Sequence, residues 1–271
     1  ALDQLTVDAS ANADGEVTID SGVNVGALKV DENTTTVAIT EGQDVTLGGT
    51  STSDVISSTG DTTPEVKLGD DLNVSADLTA TTATSTINTN GNTTVDGNVS
   101  LAGSTLAAQT GTLTVNKDLT AATGSTITGD VTVAGAIKAA DTDAATTINI
   151  GGTDTATNVK VSNVNLNADS TLAVQQGSTL TLQSTSAVQP ASVTSQVAAT
   201  NATIASNGPA EINGTVSLTD AALQSQAGVL SVDSIATSGT STVSGNVNAG
   251  AITAASDNAA NLNLAGAALS A

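Results

Sequence analysis

Short apolar–polar–apolar triplets recur along the whole chain and are separated by breaks of small and polar residues. The stretch Ile127–Ile137 shows the pattern: Val131 and Val133 flank a threonine, while Gly129-Asp130 and Ala134-Gly135 interrupt the alternation. Alternation with a period of two is typical of a β-strand with one buried face. Glycine-containing interruptions at short intervals are typical of tight bends. The sequence therefore predicts short strands joined by close corners.

The same phrase returns at Val95–Gly103, Ile212–Leu218 and Val243–Ile252. A chain that repeats strand, corner and strand winds around a narrow core, as a β-solenoid does. The predicted fold class is therefore all-β, a single elongated β-solenoid over residues 1–271 with coils of about 20 residues. The side chains expected to point inward are those of Val95, Val99, Leu101, Leu113, Val115, Ile127, Val131, Val133 and Ile137.

A longer repeat underlies the triplets. Ala83–Leu101 resembles Thr200–Leu218 at an offset of 117 residues, and Ile87 matches Ile204. The match continues downstream with short deletions, so that Ile148-Asn149-Ile150 corresponds to Leu262-Asn263-Leu264. Because a solenoid coil contacts only its neighbours, a block of coils can be copied in tandem. We interpret the chain as an internal tandem duplication with copies at roughly 34–150 and 151–266.

The composition favours the thin core of a solenoid over the thick core of a globular domain. It also lacks the His and Cys side chains on which many catalytic sites depend. The chain has no aromatic residue, Cys, Met or His, and its five basic residues are all lysines. Catalytic triads and ordinary zinc sites need His or Cys. Paired carboxylates could hydrolyse sugars, but Asp70-Asp71 and Asp141-Thr142-Asp143 have no aromatic residues with which to grip one. We predict that the protein is not an enzyme and requires no cofactor.

The formal net charge of −21 bears on the partners. Nothing basic is present to neutralise nucleic-acid phosphates, and adsorption to anionic lipid is disfavoured. No segment approaches the ~18 consecutive apolar residues that a membrane helix needs. Divalent cations are a better match, since hard cations bind carboxylate oxygens. Asp141, Asp143 and Asp154 are weak calcium candidates, although turn aspartates more often bind their own backbone amides.

Threonine pairs raise an alternative function. Thr-x-Thr occurs at Thr112/Thr114, Thr126/Thr128, Thr179/Thr181 and Thr240/Thr242. Outward threonines in register on a flat face would make an ice-binding array. Threonine also suits the exposed face of any strand, and the spacing of these pairs is irregular. Ice binding is therefore kept as the less favoured alternative.

The Gly-Asp-Val-x-Val-x-Gly phrases and the Thr/Ala/Asn/Gly bias resemble bacterial surface β-solenoid proteins. These include autotransporter passengers, filamentous-haemagglutinin-like adhesins and acidic S-layer proteins. Gly129-Asp130-Val131 and Gly97-Asn98-Val99 are also similar to the coil phrase of bactofilins. The resemblance implies a right-handed parallel β-helix, an extracellular or cell-surface location, and a structural or adhesive role. The Ala1 start without a methionine agrees with a mature secreted form or a fragment.

The ends of the sequence suggest self-assembly. A solenoid exposes an open strand edge at each end, and solitary solenoids cover these edges with polar caps. Here strand-like and apolar residues lie at both ends: Leu2, Leu5, Val7, Leu262, Leu264 and Leu269. We therefore expect a head-to-tail homopolymer, the subunit of an extracellular filament or layer. The alternative is an adhesin or S-layer-type surface module that does not polymerise in this way.

Overall fold

A computed structural model describes residues 92–141, 144–151, 157–167, 169–184 and 190–254, together with the strands outside these ranges. The described part is all-β without a helix, and residues 93–254 contain about seven turns of parallel β-solenoid. The predicted fold class is thus confirmed. The chain divides into two compact units, Ala1–Gly135 and Ala136–Ala271.

The strands of the first unit are short, apart from two that continue through corners. They are β1 (Leu5–Asp8), β2 (Glu16–Ile19), β3 (Val23–Val25), β4 (Leu28–Asp31), β5 (Thr36–Ile39), β6 (Val45–Leu47), β7 (Ile56–Thr59), β8 (Glu65–Leu68), β9 (Leu72–Val74), β10 (Leu78–Ala80), β11 (Thr86–Asn90), β12 (Thr93–Val95), β13 (Val99–Leu101), β14 (Thr105–Val115), β15 (Leu119–Ala121) and β16 (Thr126–Ala139), whose last residues belong to the second unit.

The strands of the second unit include several long ones that turn corners without a break. They are β17 (Thr147–Ile150), β18 (Asn158–Asn165), β19 (Thr171–Val174), β20 (Thr179–Gln183), β21 (Ala191–Val193), β22 (Gln196–Thr200), β23 (Thr203–Asn207), β24 (Ala210–Thr219), β25 (Ala222–Ala227), β26 (Leu230–Ser238), β27 (Thr240–Ser244), β28 (Val247–Ala254) and β29 (Asn261–Ala265).

In the first unit the strands stack in three parallel columns. The first column contains β1, β4, β7, β10, β13 and β15. The second contains β2, β5, β8, β11 and the starts of β14 and β16. The third contains β3, β6, β9, β12 and the later parts of β14 and β16. Each turn therefore contributes one strand segment to each of three walls.

The second unit has the same three-column organisation. Its first column contains β17, β19, β22 and the second halves of β24, β26 and β28. The second contains the start of β18, then β20, β23, β25, β27 and β29. The third contains the end of β18, β21 and the first halves of β24, β26 and β28. The first and third columns thus end with β28, and the second ends with β29.

Rows of aliphatic side chains fill the space between the three walls. Leu113 and Val131 are in register, as are Val115 and Val133, and none of the four is more than 1% exposed. All nine residues predicted to point inward are buried, with at most 2% exposure. Burial of each Val, Leu or Ile contributes about 1.5–3 kcal/mol. The core of the described turns is therefore filled without aromatic residues.

The corner between the first and second columns repeats one conformation. In the second unit Gly177, Asn201, Asp220 and Gly239 all have positive φ. This left-handed conformation suits Gly, and Asn and Asp tolerate it because their short polar side chains bond locally. Buried small residues follow directly in the first three cases, namely Ser178, Ala202 and Ala221. The corner thus turns the chain while placing a small side chain inside.

The two sequence copies share structural details. β11 and β23 each contain a register irregularity before the last residue, at Thr89/Asn90 and Ser206/Asn207. Thr89 and Ser206 occupy equivalent positions and both are fully buried. The compact units meet at Gly135/Ala136, whereas the predicted copies meet at 150/151. The two boundaries differ because one reflects contact density and the other reflects sequence similarity.

Candidate assembly surface

The strands of the first turn pair on one side only within the described part of the chain. β1, β2 and β3 pair with β4, β5 and β6, in parallel. The same holds at the other end, where β28 pairs with β26, and β29 pairs with β27. The outer edges of these strands present N–H and C=O groups that can extend a sheet. Both edges can therefore accept a further parallel strand.

Ile252 is a core position of the solenoid whose side chain is nevertheless exposed. β28 continues the first column of the second unit, and Ile252 is in register with Ile235. Ile235 is fully buried, whereas Ile252 is 36% exposed. Earlier residues of the same row, such as Val197 and Val216, are also fully buried. Ile252 thus occupies a core position, and no described residue forms over it the next layer that covers Val197, Val216 and Ile235.

Small and hydroxyl-bearing residues surround this end of the column. An open groove beside it is lined by Ser217–Thr219, Ala236–Ser238, Thr253 and Ala254. Thr219 and Ser238 form a hydroxyl–hydroxyl hydrogen bond of 2.8 Å across neighbouring turns. The Thr253 hydroxyl donates to the Ile235 carbonyl at 3.4 Å. The end of the first column therefore combines an apolar core position with an ordered polar outer face.

The structure places some of the predicted assembly residues and leaves others outside the described part. Leu5 and Val7 lie in β1, and Leu262 and Leu264 lie in β29, so all four belong to strands that pair on one side only among the described strands. Leu2 and Leu269 lie outside the described residues. The sequence analysis missed Ile252. Ile252 ends the Val243–Ile252 phrase as Ile137 ends the phrase Ile127–Ile137, but the pattern alone could not show that Ile252 is exposed.

The candidate calcium residues are not assembled into a site in the described structure. Asp141 is exposed just after β16, while Asp143 and Asp154 lie outside the described residues. Among the residues that the structure describes, no group of three or more His, Cys, Asp or Glu side chains is placed to hold a metal ion. Calcium binding at these aspartates remains a prediction.

The Thr-x-Thr pairs do not stack on one another in the described strands. Thr112 and Thr114 are in register with Asp130 and Thr132. Thr126 and Thr128 are in register with Thr105 and Ala107. Thr179 and Thr181 are in register with Asn158 and Lys160 on one side and with Thr203 and Ala205 on the other. Thr242 meets Ala222 on one side and Asn263 on the other. The two-file threonine array that an ice-binding face would use is therefore not formed by these pairs.

Charge is distributed unevenly along the sequence. Fifteen of the 26 acidic residues lie within residues 1–77, whereas residues 234–271 contain a single charged residue, Asp257. One end of the sequence is thus strongly acidic and the other almost neutral. Among the described residues, no helix has the length and apolar character required to cross a membrane.

Comparison of the chain with protein-family models, with curated proteins and with solved structures gave no match. The fold and the surface chemistry are therefore the basis for a functional assignment.

Proposed function

We propose that the protein is a structural subunit, secreted or displayed at a cell surface, that assembles end to end into a filament or layer. The observation that carries this proposal is the exposure of Ile252 at a core position of the last turn of its column. Leaving a large aliphatic side chain in water at such a position is unfavourable, and about 25 cal/mol is recovered for each Å² of apolar surface covered. A further solenoid turn has the shape that covers it.

The free strand edges would add backbone hydrogen bonds to the proposed contact between subunits. Within the described strands, β1, β2 and β3 of the first unit each have an unpaired edge, and so do β28 and β29 of the second unit. Backbone hydrogen bonds between such edges are the basis of β-augmentation. Joining the first strands of one copy to the last strands of the next is a head-to-tail contact, and a contact between two different surfaces does not have to close on itself. Contacts of this type produce fibres.

The acidic surface fits the proposed location outside the cell. A charge of −21 keeps subunits apart sideways while leaving the nearly neutral last residues able to make contact. The absence of cysteine from the sequence means that neither folding nor assembly depends on redox conditions. The resemblance of the glycine-containing phrases and of the Thr/Ala/Asn/Gly bias to those of bacterial surface β-solenoids supports the same proposal.

Concentration-dependent light scattering tests the proposal. The purified chain is concentrated stepwise, and its mean mass is compared with the 26.1 kDa of a single chain. We expect the mass to grow continuously with concentration, without a plateau at a dimer or trimer, because an unclosed contact sets no limit. A constant mass of one chain over the whole range would contradict the proposal and favour a lone adhesin.

A further inference from the structure

We infer that Asn213 is a site of spontaneous chemical modification, at which the side-chain amide cyclises onto the backbone nitrogen of Gly214 and then hydrolyses to aspartate or isoaspartate. The only co-reactant is water, so no enzyme is needed. The inference does not depend on the proposed end-to-end assembly. It rests on the place of this Asn-Gly pair in the fold and on the exposure and contacts of the residues around it.

The pair lies at the corner where β24 passes from the third column of the second unit to the first. β24 is in register with β26 up to Ile212 and again from Thr215. The partners of these two residues on β26 are only two positions apart, so a single residue, Asp233, stands opposite both Asn213 and Gly214. Two residues opposite one are typical of a β-bulge, which leaves the extra residue outside the ladder. The corner is therefore less regularly paired than the strand on either side of it.

The reaction is a ring closure followed by hydrolysis. The Gly214 nitrogen attacks the carbonyl carbon of the Asn213 side chain, a bond forms between them, and the carbon–nitrogen bond of the amide breaks. The amide group leaves as ammonia and takes with it the proton of the backbone nitrogen. Water then opens the succinimide ring at one of its two carbonyl groups, which gives aspartate or isoaspartate. A glycine after the asparagine favours the attack, because it has no Cβ to hinder the approach and the widest range of backbone angles.

The fold exposes the asparagine and also requires the glycine beside it. Asn213 is exposed, although Ile212 before it is only 1% exposed, so water reaches the amide. A Cβ at Gly214 would lie 2.6 Å from the Ser195 carbonyl oxygen of the turn before. That separation is too short for two atoms that are not bonded to each other. The close approach of the two turns therefore keeps at position 214 the residue type that most favours cyclisation.

Another Asn-Gly pair of the second unit provides an internal comparison. Asn207 is also exposed, but it is a register partner of Gln183 on one side and of Ala227 on the other. The N–H of Gly208 donates a hydrogen bond of 3.1 Å to the Ala227 carbonyl. Cyclisation at Asn207 must break this bond, because it removes the proton that the bond uses. The two pairs have the same residue types, so the structure predicts faster cyclisation at Asn213.

Conversion changes both the charge and the backbone of the corner. Glu211 lies two residues before Asn213, Asp233 stands opposite the corner, and both are exposed. A new carboxylate at position 213 is thus added near two others, and like charges near one another disfavour the charged state. Isoaspartate also inserts one methylene group into the main chain between the two halves of β24.

Peptide mapping by mass spectrometry measures the two conversions in the intact chain. The purified protein is kept in mildly alkaline buffer at physiological temperature, once folded and once unfolded in urea. After digestion, the amide and acid forms of each peptide are quantified at successive times. In the folded chain we expect Asn213 to convert at least threefold faster than Asn207. In urea the two rates should approach each other, because the corner and the Gly208 hydrogen bond are both lost.

An Asn213→Gln chain provides the matched control. Glutamine would have to close a six-membered ring, so its peptide should stay in the amide form under the same conditions. A ratio below threefold in the folded chain, or an Asn213 that converts only in urea, would overturn the inference. The same ratio in the folded and unfolded chains would also overturn it, because the preference would then come from the local sequence and not from the fold.

Discussion

Ile252 and Ile235 are register partners on neighbouring turns, yet Ile235 is fully buried and Ile252 is 36% exposed. The two side chains have the same chemistry and the same position in the repeat. They differ because a turn lies over Ile235 and none of the described turns lies over Ile252. This difference connects the fold of the chain to its proposed assembly, and it can be tested by substitution.

Ile252→Asp is expected to prevent assembly without unfolding the subunit. The aspartate stays hydrated in the free chain, whereas docking would bury an unpaired carboxylate at a cost of several kcal/mol. The matched control is Val229→Asp, since Val229 is the other large apolar side chain exposed in the described part, at 40%. Light scattering should show single chains for Ile252→Asp and growing assemblies for Val229→Asp. Equal assembly of both variants would remove Ile252 from the interface.

Val131→Asp is expected to destabilise the subunit by about 3–5 kcal/mol, because it places an unpaired charge in the core. Val131 is 1% exposed and is in register with Leu113. Its neighbour Thr132 is only partly buried and provides the control Thr132→Asp, for which a loss within about 1 kcal/mol is expected. Urea unfolding followed by circular dichroism measures both variants. Similar unfolding midpoints for the two would contradict the inward placement of Val131, and a larger loss for Thr132→Asp would mean that the two faces are exchanged.

The backbone at Gly129 and Gly124 gives a comparison of two corners. Both residues have positive φ, near +85°, but an added Cβ at Gly129 would collide with the Ala108 carbonyl oxygen, whereas at Gly124 it would meet nothing within 4 Å. Gly124→Ala is therefore expected to cost about 1–2 kcal/mol for the left-handed conformation alone.

For Gly129→Ala we expect a loss at least about 2 kcal/mol larger, because the neighbouring turn must shift to accommodate the methyl group. The free energies of unfolding of the two variants provide the measurement. If the two losses were the same, the close approach of the turns at Ala108 would not contribute to stability.

Much of the fold could be predicted from the period-two alternation, because the inward position of Val131 or Leu113 follows directly from it. The corners were less predictable. Asn201 and Asp220 adopt the left-handed conformation that glycine adopts elsewhere, and their residue types alone do not reveal it. The register between strands of neighbouring turns could not be predicted from the sequence either, because the corners differ in length from turn to turn. The Thr-x-Thr pairs therefore could not be placed against their neighbours before Thr112 was seen beside Asp130.

Lateral association is expected to depend on cations. Sideways contact would bring together surfaces of subunits that each carry a formal charge of −21, and this repulsion is reduced by salt or by bridging calcium ions. Calcium at millimolar concentration should gather filaments into bundles, and a chelator should disperse the bundles while the circular dichroism spectrum stays unchanged. Bundles that persist in chelator at low salt would show that other contacts hold the filaments together.

Negative-stain electron microscopy of the intact protein at high concentration with calcium tests the central claim most directly. The account predicts unbranched filaments that lengthen with concentration and are absent from the Ile252→Asp variant under identical conditions. Uniform single particles of the unmodified protein would contradict end-to-end assembly.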